Sequence, residues 1–158
     1  MIEVRRLTKR YGPRTVVDQL TFRVEPGAVT GFLGPNGSGK TTTARMILGL
    51  TDADEGSATI GGRSYRDLRR PLCEIGALIN PGAVVPGRTA IEHLRWLAAA
   101  NGIARARAAE ALGIVGLDAV GGRRVGGFSL GMLQRLGIAA ALIGDARVLL
   151  FDEPIDGH

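Results

Sequence analysis

Cysteine is scarce in this sequence: Cys73 is the only one among 158 residues, so the chain cannot close a disulfide within itself. A single thiol fits a reducing compartment. Aromatic residues make up 4% of the chain against 45% hydrophobic residues, so the core must be built from aliphatic side chains. The longest apolar stretches, such as residues 136–144, are far shorter than the roughly 20 residues of a membrane-spanning helix. A soluble globular domain is predicted, and any membrane role would need a partner.

Lysine is almost absent: Lys9 and Lys40 are the only two, and arginine supplies the other basic residues. The formal net charge is +5 and the isoelectric point is about 10.3, a balance that can indicate nucleic acid or an anionic membrane surface. The basic residues are scattered, however, and no run exceeds two, as at Arg5-Arg6. A solvated, arginine-rich surface is therefore favoured over a dedicated polyanion site, and no nucleic acid partner is expected.

Apolar periodicity and turn residues divide the chain into strands and helices. Strands are predicted at Ile2–Leu7, Val16–Val24, Ala28–Leu33, Ser57–Ile60, Glu74–Ile79 and Arg147–Phe151. Helices are predicted at Lys40–Leu50, Thr89–Asn101, Ala104–Val115 and Ser129–Ile143. This order predicts an α/β fold around a largely parallel sheet with an inserted helical lobe. We expect one domain, with a core and β subdomain at 1–85, the lobe at 86–143 and a strand returning to the core at 144–158.

A glycine-rich loop carries the strongest functional signal in the chain. Residues 34–41 read Gly-Pro-Asn-Gly-Ser-Gly-Lys-Thr and match the phosphate-loop pattern G-x-x-x-x-G-K-[ST] without exception. Glycines let consecutive backbone N–H groups point inward, and the following helix presents its positive end to the phosphates. Lys40 would reach the β- and γ-phosphates, and the Thr41 hydroxyl would coordinate Mg²⁺. The predicted ATP-binding residues here are Gly34, Pro35, Asn36, Gly37, Ser38, Gly39, Lys40, Thr41 and Thr42.

Two adjacent carboxylates follow the last apolar strand. Asp152 and Glu153 come directly after the apolar segment Val148–Phe151. Two adjacent acids at the end of a buried strand are energetically costly unless cations lie nearby. Asp152 would hold Mg²⁺, and Glu153 would polarise a water for attack on the γ-phosphate. The alternative is a strand that emerges into solvent. The phosphate loop favours the magnesium and catalytic roles.

These residues resemble the ATP-binding cassette (ABC) family, the nucleotide-binding subunits of ABC transporters. Tyr11, ahead of the loop, looks like the aromatic residue that stacks on adenine. Residues 128–132, Phe-Ser-Leu-Gly-Met, look like the family signature L-S-G-G-Q. The resemblance implies that Ser129 and Gly131 contact the γ-phosphate held by a second cassette. Asn80 stands where the family has its lid glutamine.

The resemblance implies a P-loop NTPase core with an N-terminal antiparallel β subdomain and an inserted helical lobe. It also implies two partners: a transmembrane permease subunit, which the lobe receives, and a second cassette in a homo- or heterodimer. The chain would then lie in the cytoplasm, peripheral to the inner face of the membrane. The Ser-Leu-Gly-Met signature is most similar to exporters of drug- and peptide-resistance systems. The expected function is an ATPase subunit that couples ATP hydrolysis to export.

The sequence departs from the family pattern in three places. Asn80 is shorter than glutamine, and Leu130 replaces the first glycine of the signature pair. The family continues beyond Glu153 with an aspartate loop and a histidine strand, so the cassette is expected to be C-terminally incomplete and its hydrolysis weak. His93 lies in a predicted lobe helix and is expected at the surface. Two alternatives are a non-catalytic nucleotide-binding fragment and a soluble ABC protein that acts on nucleic acid or the ribosome.

Overall fold

The computed structural model describes residues 1–28, 30–31 and 37–152. The chain forms two compact units, Met1–Leu68 and a second unit that begins at Arg69. Each unit has its own sheet and its own buried core. The predicted strand at Ala28–Leu33 includes residues that lie outside this description, as do Gly34, Pro35, Asn36 and Glu153.

The first unit is built on a three-stranded antiparallel sheet in the order β2-β1-β3. Its elements are β1 (Ile2–Tyr11), β2 (Arg14–Val24), helix α1 (Lys40–Ile47) and β3 (Glu55–Ile60). Strand β1 begins with Ile2 and Val4 buried and Glu3 turned outward, as expected for a sheet with one covered face. The N-terminal antiparallel β subdomain expected from the resemblance is therefore confirmed.

The first two strands are longer than the apolar alternation predicted. They join in a hairpin whose turn is Gly12-Pro13, with Tyr11 directly opposite Arg14. The pairing of β1 with β2 shifts register between Lys9 and Arg10, so β2 carries a bulge near the hairpin end. The residues at this end of the hairpin are mostly polar, so apolar alternation did not predict that the strands extend through them.

Helix α1 starts at Lys40 as predicted but ends at Ile47 rather than Leu50. Gly49 adopts a left-handed backbone with φ of 66°, and its N–H donates to the carbonyl of Met46. The N–H of Leu50 donates to the carbonyl of Arg45. These two bonds form a Schellman motif, which terminates a helix because the left-handed residue reverses the chain.

The second unit contains a two-stranded parallel sheet and a helical lobe. Its elements are α2 (Pro71–Glu74), β4 (Ile75–Leu78), α3 (Ala90–Ala100), α4 (Ala106–Ile114), α5 (Leu130–Leu142) and β5 (Val148–Phe151). Strands β4 and β5 pair in parallel from Ile75 opposite Val148 to Leu78 opposite Phe151. The mixed α/β class and the helical lobe were both predicted, and both are confirmed. The short helix α2 was not predicted.

The core of the helical lobe is aliphatic, as the composition required. Leu94, Leu136 and Ile143 are fully buried, and Phe128 is the only aromatic member of the described core cluster. Helix α5 packs closely on β4, because Gly76 brings its backbone against the carbonyl of Ala141. A side chain at Gly76 would clash with that carbonyl, so the residue sets the distance between helix and strand. Within the described residues, no helix combines the length and apolar character needed to cross a bilayer.

Candidate functional site

The phosphate loop passes into α1 at Gly39. This residue is buried and has a left-handed backbone with φ of 87°. A methyl group at its Cα would lie 2.6 Å from the carbonyl oxygen of Val16 and 2.9 Å from the Val17 Cγ2 atom. Only glycine therefore satisfies both the backbone angle and the close approach to β2.

The start of α1 is arranged to receive an anion. Its first turn contains no acidic residue, so no carboxylate within that turn opposes the positive end of the helix dipole. Lys40 is half-buried, Thr41 is exposed and Thr42 is half-buried, while Gly37 and Ser38 are exposed ahead of them. Exposed backbone N–H groups and one lysine at a helix N-terminus are typical of a phosphate-binding site.

Thr43 fixes this helix start, and sequence reasoning missed it. The Thr43 hydroxyl donates a 2.8 Å hydrogen bond to the carbonyl oxygen of Gly39, and the Thr43 N–H donates to the same oxygen at 2.8 Å. The side chain is buried, with 3% of its surface exposed. The signal was present in the sequence, since a threonine four residues after a helix N-cap can make this bond.

The β1–β2 hairpin places Tyr11 on the same side of the sheet as residues that contact the loop. The Tyr11 side chain is 51% exposed, and the Lys9 Nζ atom lies 5.3 Å from the centroid of its ring. Lys9 faces Val17 across the hairpin, and Val17 contacts Gly39. Tyr11 and Lys9 are two residues apart on one strand, so their side chains share a face. The structure therefore brings Tyr11 to the loop side of this sheet.

Asp54 holds this end of the hairpin in position. Its carboxylate accepts a 2.7 Å hydrogen bond from the Arg10 backbone N–H and lies 3.6 Å from the Lys9 Nζ atom. The hydrogen bond from Arg10 and the charge of Lys9 lower the pKa of the Asp54 carboxyl below its ordinary value of 3.8. Asp54 is therefore ionised at neutral pH and anchors the strand that carries Tyr11.

In the second unit, Asn80 and Asp152 follow the carboxyl ends of neighbouring parallel strands. Asp152 comes directly after β5, and its N–H donates a 2.9 Å hydrogen bond to the carbonyl of Leu78 at the end of β4. Asn80 lies two residues after Leu78 and is exposed, and its Oδ1 atom accepts a 2.9 Å hydrogen bond from the Gly82 N–H. Ligands bind at such strand ends in open parallel sheets, so the two residues share a suitable edge.

The signature residues lie at the exposed start of α5. The Ser129 hydroxyl accepts a 3.2 Å hydrogen bond from the Met132 N–H and so caps this 13-residue helix. Its own proton is still available to a ligand. Gly131 is exposed, with open space where a side chain would lie. As in α1, the first turn contains no acidic residue.

The oxygen donors expected for a magnesium ion are a hydroxyl and a carboxylate. Thr41 is exposed in the first turn of α1, and Asp152 stands at the end of β5. Both are hard oxygen ligands of the kind that Mg²⁺ binds alongside substrate phosphates, so their chemistry fits the ion. No group of three His, Cys, Asp or Glu residues converges anywhere in the part of the chain that the structure describes.

His93 differs from its expected surface position. Its side chain is half-buried on α3, and the Nδ1 atom is buried without a hydrogen-bond partner within the described residues. Burial and then the positive charge of Arg88 lower the pKa of the imidazole below 6.5. On the eleven-residue amphipathic helix α3, His93 lies next to the buried residues Ala90, Leu94 and Ala98. The helical pattern of the sequence did not by itself predict that His93 is partly buried.

Comparisons with known proteins agree with the geometry of both units. The family described as ABC transporter matches residues 17–156. The bacitracin transport ATP-binding protein BcrA of Bacillus licheniformis is 42% identical over 99% of this chain and 52% of its own length. The lantibiotic transport ATP-binding protein SrtF of Streptococcus pyogenes is 34% identical over 99% of this chain and 68% of its own length. The chain thus spans about half to two thirds of these relatives.

A solved structure shares the fold closely. The dimeric structure of a bacterial ABC transporter cassette superposes with a TM-score of 0.87 at 26% sequence identity. The match covers 98% of this chain and 74% of that cassette. The P-loop cassette architecture expected from the sequence is confirmed, whereas the individual roles of Tyr11, Lys40, Asn80, Ser129 and Asp152 stay predictions.

Proposed function

This chain belongs to the ABC transporter family, and from that membership we propose that it binds ATP and powers a transporter by hydrolysing it. The observation that carries the proposal is the start of α1. There a buried left-handed Gly39 leads into an acid-free first turn that contains Lys40 and Thr41. This arrangement suits the negative charge of a triphosphate.

Each predicted site residue has a distinct part in the proposal. Tyr11 stacks on the adenine, and Lys40 binds the β- and γ-phosphates. Thr41 and Asp152 hold Mg²⁺, which when bound neutralises phosphate charge. Glu153 accepts a proton from the attacking water.

The start of α5 supports a second cassette as partner. Ser129 and Gly131 present an exposed helix N-terminus, which suits a γ-phosphate bound to another copy. Asn80 lies at the same strand edge as Asp152, ahead of the segment that leads into the lobe. The proposed complex contains two cassettes and a transmembrane permease, with the cassettes at the cytoplasmic face of the membrane.

We also propose that the direction of transport is export and that the cargo is a peptide antibiotic. This rests on two relatives: BcrA is named for bacitracin transport and SrtF for lantibiotic transport. A test is the antibiotic sensitivity of cells in which the gene is deleted. Sensitivity to bacitracin or a lantibiotic should rise on deletion and return when the gene is restored.

Nucleotide binding is tested on the purified 158-residue chain by titration calorimetry with ATP and Mg²⁺. Lys40→Ala should weaken ATP binding by at least about tenfold, because it removes a charge-assisted contact to the phosphates. Arg45→Ala is the matched control, since Arg45 is an exposed cation on the same helix. Equal affinities for Lys40→Ala and the wild-type chain would show that the loop is not the nucleotide site.

Turnover is tested with the chain in membranes that contain its permease. Phosphate release should depend on both ATP and the permease, and Glu153→Gln should reduce it by about a hundredfold or more, the scale of general-base catalysis. Nucleotide binding without any permease-dependent turnover would favour a non-catalytic role.

A further inference from the structure

Arg14 lies in a position that sequence motifs do not mark. It is the first residue of β2 and pairs directly with Tyr11 across the Gly12-Pro13 turn. Directly opposed residues in an antiparallel pair project from the same face of the sheet. The register shift between Lys9 and Arg10 matters here, because it lets Arg14 share that face with Val17, which lies opposite Lys9.

This shared face meets the phosphate loop at two points. Val17 contacts Gly39 at the start of α1, as described above. Arg14 approaches the loop at Gly37, two residues before Gly39. A methyl group built on Gly37 would lie 3.8 Å from the Arg14 Nη2 atom. The guanidinium therefore lies beside Gly37 in the exposed part of the loop, and its strand position pairs with Tyr11.

The Arg14 guanidinium has no competing role in the fold. Its side chain is exposed and makes no ion pair or hydrogen bond in residues 1–28, 30–31 and 37–152. The neighbouring cations on the hairpin are engaged instead, since Arg10 pairs with Glu55 at 2.8 Å and Lys9 with Asp54 at 3.6 Å. Arg14 keeps all five of its N–H donors for a ligand.

We propose that Arg14 is a nucleotide-binding residue that contacts the ribose and α-phosphate of the bound nucleotide. This inference rests on the nucleotide site proposed above. The ribose and α-phosphate join the base to the terminal phosphates, so they must pass between Tyr11 and the loop residues near Lys40. A guanidinium at that point offers paired donors to a phosphate oxygen, which is the contact that arginine forms best.

The position of Arg14 determines which nucleotides it helps to bind. The α-phosphate is common to ATP and ADP, so Arg14 should strengthen the binding of both to a similar degree. Lys40 differs, because its predicted contacts are with the β- and γ-phosphates. Arg14 therefore anchors the nucleotide before and after hydrolysis without distinguishing the two states.

The test is calorimetric titration of ATP and ADP into the wild-type chain and three variants. Arg14→Ala should weaken ATP and ADP binding each by about tenfold, the scale of one charge-assisted contact. Arg14→Lys should recover part of the loss, since an ammonium keeps the charge without the paired donors. Arg10→Ala is the matched control, because it removes a cation from the same hairpin on the other face of β1.

The outcomes separate this inference from the proposed function. Unchanged affinity for both nucleotides in Arg14→Ala, while Lys40→Ala still binds weakly, would overturn the role of Arg14 alone. A loss for ATP without a loss for ADP would also overturn it, because the contact would then be with the γ-phosphate. Failure of the wild-type chain to bind either nucleotide would overturn both.

Discussion

The Thr43 side chain and the Gly39 carbonyl are joined by a 2.8 Å hydrogen bond at the start of α1. The backbone N–H of Thr43 donates to the same oxygen, so that carbonyl has both lone pairs occupied. The carbonyl is thereby fixed at the start of α1 by two donors from a single residue. This bond couples the folding of α1 to the shape of the proposed phosphate site.

Replacing Thr43 with valine should test that coupling. Thr43→Val keeps the branched shape but removes the hydroxyl, so the free energy of unfolding should fall by about 1 kcal/mol. Urea denaturation followed by circular dichroism measures the change. Thr15→Val is the control, because Thr15 is an exposed strand residue and its replacement should leave stability nearly unchanged. Equal stability of the Thr43→Val and wild-type chains would show that the hydroxyl contributes nothing.

Gly39 should not tolerate a side chain. Gly39→Ala places a methyl group against the Val16 carbonyl and on a backbone with φ of 87°, so the loop must shift away from β2. We expect a loss of ATP affinity of at least about tenfold, by analogy with the cost of about 1–3 kcal/mol for a strained residue. Titration calorimetry measures the affinity.

The control for Gly39→Ala is a glycine without such constraints. Gly113 lies in α4 with ordinary backbone angles and open space around its Cα. Gly113→Ala should raise the free energy of unfolding by about 0.5–1 kcal/mol, the difference in helix propensity between the two residues. ATP affinity should not change. A loss of ATP affinity in Gly113→Ala as large as in Gly39→Ala would point to a general intolerance of alanine rather than to the loop.

The capping box of α3 offers a separate test of the lobe. The Thr89 hydroxyl accepts from the Glu92 N–H at 3.2 Å, and the Glu92 carboxylate accepts from the Thr89 N–H at 2.9 Å. Thr89→Ala should lower the free energy of unfolding by about 1 kcal/mol, whereas Thr89→Ser should retain most of it. Urea denaturation distinguishes the two variants, and equal losses would show that the hydroxyl is not the cause.

Stability should fall below about pH 6.5 because of His93. Burial and Arg88 lower the pKa of this imidazole, so the folded chain binds a proton less readily than the unfolded chain, whose histidine titrates near 6.5. The stability is fully present above that value and is lost as the pH falls. Urea denaturation at about pH 7.5 and 5.5 should show the decline, and His93→Leu should flatten it.

The carboxyl groups of Glu92 and Asp54 change stability only at lower pH, so they do not produce the decline between about pH 7.5 and 5.5. Hydrogen bonds within the capping box lower the pKa of Glu92, so its contribution is present above its ordinary value of 4.5 and is lost below it. Asp54 behaves in the same way with an ordinary value of 3.8. A decline between pH 7.5 and 5.5 that persists in His93→Leu would contradict the role of His93.

Several features could be predicted from sequence because they depend on neighbouring residues. The phosphate loop, the Ser129 cap and the capping box at Thr89 each lie within a few positions of the helix they start. Strand boundaries were less predictable, since the hairpin end of β1 and β2 is polar. The strand predicted at Ala28–Leu33 includes residues outside the described part of the chain and stays a prediction.

The sequence by itself determined the chemistry of this protein, because the spacing of glycine, lysine and hydroxyl residues around Lys40 is a local property. The tertiary structure decided which distant residues meet. Asn80 and Asp152 share an edge only because β4 and β5 pair in parallel and in register. Arg14 shares a face with Tyr11 because a bulge shifts the pairing of β1 with β2. The pairing of β4 with β5 joins segments far apart in the chain, so no pattern within either segment reveals it.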